Sequence, residues 1–306
     1  MPDFPPDAFI EAHGLPRPQW KVILSQMQKD WPRETKHEFW CAAQRQWLER
    51  LRTAMPDPYV VVESDHHLIL TAFRGDAQWM LDFAEELHAL VGGMLAGAIS
   101  DDSFGKFAIL VFQGEARYWQ YIRYFAKDNR PRESAGICIF DGDTHIAMPG
   151  VSNFKHVLVH EMVHARLSHL PLPHWVHEGI AQHIDRLLNT RSRMLAEKFS
   201  RSEHYVWWKY HGIQQLWSGE IFTDRRSDRR HMGYALAEQL VNAMIKPDRV
   251  TFNAFLREAY KSDGGEFASR SYFGVGLGVW AQEVLGPGEW DPKPQQWDPV
   301  KVEQAY

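Results

Sequence analysis

Apolar positions follow two rhythms, one before residue 150 and another after it. Phe39, Trp40, Ala43, Trp47, Leu48 and Leu51 recur at helical spacing and predict an amphipathic helix over residues 38–52. Two prolines in residues 55–58 end it. Short β-branched or apolar runs at 59–62, 67–71 and 107–112 predict strands. Between them a helix opens at Asp76 and carries Trp79, Met80, Phe83, Leu87, Leu90 and Val91. Residues 115–125 predict a short aromatic helix, and the runs 136–140 and 144–148 flank Asp141-Gly142-Asp143, a hairpin signal. From Pro149-Gly150 to about Val284 the pattern is helical.

Residues 1–34, rich in proline and aromatics, are expected to form an irregular arm with one short helix at most. The stretch 286–306 has four prolines and little periodicity, and is expected to lie on the surface as a tail. Strands segregated ahead of helices predict an α+β fold. Four segments are expected: an arm and helix (1–58), a sheet portion (59–150), a helical lobe (151–285) and the tail (286–306).

Composition narrows the class. With 44% hydrophobic and 24% charged residues the chain is built to fold, which excludes wholesale disorder. A net charge of −5 and no long basic run argue against nucleic-acid binding. The longest uncharged stretches reach about 14 residues, short of the ~20 a membrane span needs. No basic start or apolar block marks a signal peptide. The two cysteines, Cys41 and Cys138, are expected to stay reduced, and the expected setting is cytoplasmic.

The 16 histidines are the unusual count, and their placement carries the chemistry. In His160-Glu161-Met162-Val163-His164 the two histidines stand at i and i+4, on one helix face, where both imidazoles can meet one metal ion. Glu161 projects beside them as a candidate proton acceptor. Apolar Val157, Leu158, Met162 and Val163 bury the helix, and a divalent cation would offset the cost of burying these polar groups. A third ligand is required, with a position left open. After Pro171-Leu172-Pro173 a second helix is expected over 175–188, and an antiparallel pair brings Glu178 alongside His164. His169, His174 and His177 are the rival third ligands. Gly179 is expected to let the two helices approach closely.

These residues, with Pro173-x-Trp175-Val176-x-Glu178-Gly179-x-Ala181, resemble the gluzincin branch of zinc metallopeptidases and are most similar to the compact peptidase MA-like domains. Leu167 and Leu170 stand where metzincins carry Gly and His. The gap from His164 to Glu178 is shorter than in the aminopeptidase N family. The resemblance covers about residues 135–190 and implies a zincin-like fold. It also implies Zn2+ held by His160, His164 and Glu178, with Glu161 catalytic. The implied activity is peptide-bond hydrolysis by a zinc-activated water with Glu161 as general base, on a peptide or protein substrate. In that fold the strand 144–148 forms the edge of a mixed sheet over the active-site helix; a plain structural strand is the other reading. Tyr234, or else His231, is the expected oxyanion donor. Asp185 is either a support for a zinc-bound histidine or a surface acid. The charged run 224–230 is expected to be a self-paired loop. The alternative to a peptidase is a zinc-stabilised, non-catalytic binding or scaffold domain of the same fold.

Overall fold

A computed structural model describes residues 4–99, 104–125, 135–189, 200–224, 226–299 and 302. The fold is α+β. It divides into two compact units, Met1–Val91 with Ser100–Ala165, and Gly92–Ile99 with Arg166–Tyr306. The chain passes between the units at 91/92, 99/100 and 165/166.

In the first unit, strands β1 (Phe9–Ala12) and β2 (Leu15–Pro18) pair antiparallel, so the expected irregular arm contains a hairpin. Its turn residues His13 (φ 55°) and Gly14 (φ 72°) are both left-handed, as a two-residue hairpin turn requires. Helices α1 (Trp20–Ser25) and α2 (Arg33–Ala54) follow, α2 starting directly after Pro32. The arm is core rather than cover: Trp20 stacks on Trp40 at 5.0 Å and meets Trp47 edge-on at 5.6 Å, and all three indoles are buried.

The main sheet comprises β3 (Val60–Glu63), β4 (His67–Thr71), β5 (Phe107–Val111), β6 (Ile137–Asp141) and β7 (Asp143–Met148), in the order β3-β4-β5-β7-β6. Pairs β4–β5 and β5–β7 are parallel, with α3 (Ala77–Met94) and α4 (Glu115–Ile122) on their crossovers. Both outer pairs are antiparallel. The Asp141-Gly142-Asp143 turn forms as expected, Gly142 at φ 75°. Its consequence corrects the edge assignment: the hairpin folds β6 onto the outer side of β7, so β7 is interior and β6 is the edge. Ile137 and Phe140 on that edge are exposed. Next in the chain comes α5 (Phe154–Leu167), which runs through the unit boundary.

The second unit is helical, with α6 (His174–Leu188), α7 (Arg201–His211), α8 (Gln214–Trp217), α9 (Ser227–Ile245), α10 (Arg249–Glu258), α11 (Glu266–Phe273) and α12 (Leu277–Leu285). A capping box, Ser200 with Glu203, starts α7, and Asp248 accepts from the amides of Val250 and Thr251 to start α10. Helix α6 packs along α9, where Gly179 meets Ala237 and Val241 and Arg186 pairs with Glu238. Gly179 serves this contact: a Cβ there would lie 2.6 Å from the Ala237 carbonyl oxygen.

Two expectations on this unit change. The run 224–230 is mostly the first turn of α9, with Asp224 paired to Arg226 and Arg229; Arg225 lies outside the described residues. Residues 286–299 are anchored rather than superficial; 300, 301 and 303–306 of the expected tail lie outside the described residues. Trp290 and Trp297 are buried, and the Gln214 side chain bonds Asp291 O, Lys293 N and Trp297 Nε1. Among the described residues no helix is long and apolar enough to cross a membrane.

Candidate metal centre

Helix α5 presents His160 and His164 one turn apart, as its periodicity requires. Their Nε2 atoms are 3.1 Å apart, with ring planes at 75°. Two nitrogens held at ~2.0–2.1 Å from one tetrahedral ion stand about 3.3 Å apart, so this spacing suits a shared cation. It is also the spacing at which one neutral imidazole donates to another. A carboxylate oxygen of Glu178 joins them: one donor atom from each of the three residues lies within 4.8 Å of the others. Among the described residues this is the one such group of three or more His, Cys, Asp or Glu. Two imidazoles and a carboxylate form the donor set of many open zinc sites. His164 and Glu178 are buried, and His160 is half-buried.

Glu161 is also half-buried. The edge strand starts against the same helix, since a Cβ on Gly136 would lie 2.2 Å from Val157 Cγ1, and the Cys138 thiol on β6 is pushed well above the ordinary thiol range, first by burial and then by the Glu161 charge. Cys41, on α2, is likewise buried and raised by burial. Neither thiol is poised as a nucleophile.

On α6 the backbone extends from Pro173 into a helix that carries His174 and Glu178 on one face. His174 Nε2 lies 3.2 Å from Glu178 Oε1. The His174 ring packs on Phe222 at 4.7 Å, and Phe222 packs on Tyr234 at 5.4 Å. His169, His174 and His177 lie outside the convergent set of donor atoms. Tyr234, half-buried on α9, is thus linked by ring contacts to the Glu178 end of α6, whereas His231 is exposed one turn earlier. Asp185 is buried rather than superficial. It accepts from the Asn189 side chain, and its charge is felt by Glu238, which is paired with Arg186.

Two features were not foreseen. One is the contact of His174 with Glu178, whose i, i+4 spacing was its only signal. The other is a buried network in the first unit. There Asp143 accepts from Trp40 Nε1 (2.7 Å) and Gln44 Nε2 (2.9 Å), and burial raises its carboxyl to about 7 despite these donors. Its neighbour His145 donates from Nδ1 to Asp143 O and accepts the Tyr121 hydroxyl at Nε2. Burial lowers this imidazole to about 4. No family model, curated protein or solved structure matches the chain.

Proposed function

We propose that this protein is a zinc-dependent peptidase of the gluzincin type. The observation that carries the reading is the convergence of His160, His164 and Glu178 donor atoms within 4.8 Å, with Glu161 adjacent to His160 on the same helix. These three side chains would hold the ion. When bound, Zn2+ supplies Lewis acidity that acidifies water and polarises a carbonyl oxygen.

The chain's own residues supply the rest. Glu161 accepts the proton of the attacking water and delivers it to the leaving amine. Tyr234, or else His231, donates a hydrogen bond to the oxyanion. The open edge of β6 offers backbone groups to an extended peptide, and the proximity of Cys138 to the Glu161 charge supports that use.

The test is Glu161→Gln assayed on a mixed peptide pool, with metal analysis alongside. Zinc content is expected to persist while hydrolysis collapses; unchanged turnover ends the proposal. Wild-type protein that binds zinc yet cleaves no peptide would point instead to a non-catalytic scaffold.

A further inference from the structure

Pro173 and Phe222 together fix one imidazole. Pro173 (φ −58°, ψ 143°) sets the first turn of α6, so His174 enters the helix at its first position and Glu178 follows one turn on. His174 and Glu178 keep only 11% and 10% of their side chains exposed. The face of the His174 ring rests on Phe222, itself buried, at an interplanar angle of 37°. A ring wedged in this way has little rotamer freedom left to lose on making a bond.

Its Nε2 lies 3.2 Å from Glu178 Oε1. An ionised carboxylate only accepts, so Nε2 carries the proton and donates. That bond restrains the rotation of the carboxylate. A carboxylate that ligates through one oxygen and is hydrogen-bonded at the other is held in its ligating orientation. His174 is not itself among the convergent donor atoms, so it does not compete for the ion in this arrangement.

We propose that His174 is a positioning residue that orients the Glu178 carboxylate for metal binding. The proposal rests on the reading of His160, His164 and Glu178 as a zinc site. It assigns His174 to the third ligand, whereas sequence spacing left it as a rival for that ligand's place.

Three variants separate the hydrogen bond from packing. His174→Gln keeps an N–H donor. His174→Phe keeps the aromatic slab against Phe222 and has no donor. His174→Leu, a good helix former without a donor, stands in if the phenylalanine variant fails to fold. Zinc affinity is measured by competition with a chromophoric chelator, and the site geometry by the visible spectrum of the Co2+-loaded protein. The phenylalanine and leucine variants are expected to bind zinc about 10–100-fold more weakly than wild type, with an altered Co2+ spectrum. The glutamine variant is expected to recover both affinity and spectrum.

Wild-type zinc affinity in His174→Phe or His174→Leu overturns the positioning role and leaves the zinc site standing. Abolished binding in all three variants, as deep as in Glu178→Ala, also overturns it, because His174 would then be a ligand. A wild-type chain that binds no zinc brings down the site reading, and this inference with it.

Discussion

Gly179 meets Ala237 so closely that a Cβ on the glycine would stand 2.6 Å from the Ala237 carbonyl oxygen and 2.9 Å from its carbon. The obstacle is helix backbone, which cannot rotate out of the way. An alanine in place of a helical glycine ordinarily stabilises by up to ~1 kcal/mol. Here the sign reverses. Gly179→Ala is expected to cost about 1–3 kcal/mol by forcing α6 off α9, read as a lower midpoint in urea unfolding. A midpoint at or above wild type would show that the two helices have slack.

The neighbours Asp143 and His145 carry opposite pH dependences. The Asp143 carboxyl is raised from 3.8 to about 7, so its stabilising contribution is complete below 3.8 and is lost as pH rises towards 7. The His145 imidazole is lowered from 6.5 to about 4, so its contribution is present above 6.5 and is lost as pH falls towards 4. In wild type the two slopes oppose each other. Asp143→Asn is expected to gain thermal stability as pH rises from 4 to 6.5, and His145→Gln to lose it over the same range. Parallel melting curves for the two variants across that window would refute the pairing.

Glu85 on α3 holds the turn between β3 and β4. Its carboxylate accepts from Ser64 Oγ (2.5 Å), His66 N (2.9 Å), His66 Nδ1 (2.7 Å) and His67 Nδ1 (3.0 Å). Burial pushes this carboxyl up, but the four donors outweigh it and hold the group well below its ordinary 4.5. Its contribution is present above 4.5 and is lost as pH falls below that value. Glu85→Gln is expected to melt lower than wild type at pH 7 and to show a shallower further loss on acidification. Equal melting temperatures at pH 7 would mean that the turn holds without this clamp.

Metal binding is expected to register in stability as well as in turnover. A ligand that binds only the folded chain adds about 2.7 kcal/mol at a hundred times its dissociation constant. Zinc should therefore raise the melting temperature of the wild-type protein, a chelator should reverse the rise, and Glu178→Ala should show neither effect. A zinc-induced rise of wild-type size in Glu178→Ala would move the third ligand to another side chain.

Local signals were legible in the sequence and long-range ones were not. The Asp141-Gly142-Asp143 turn and the two helices around Pro171–Pro173 follow from short stretches of chain whose preferences agree with the fold. The turn said that β6 and β7 pair, but it could not say that β5 lies on the other side of β7. Hence the edge was misplaced by one strand. The first hairpin was hidden because Pro16 and Pro18 weaken β2 as a strand pattern, and its His13-Gly14 turn needs a non-glycine residue at positive φ. Around the candidate site, helical periodicity sets His160 against His164 and His174 against Glu178. Phe222, which braces His174, arrives from a remote segment that carries no motif.

The side chains of Gln214 and Trp217 hydrogen-bond to residues 290–297: Gln214 grips Asp291, Lys293 and Trp297, and the Trp217 indole donates to Trp290 O. A cut before residue 290 would therefore take away four hydrogen bonds and two buried indoles at once, so the helical unit depends for its closure on a segment that has almost no regular secondary structure of its own.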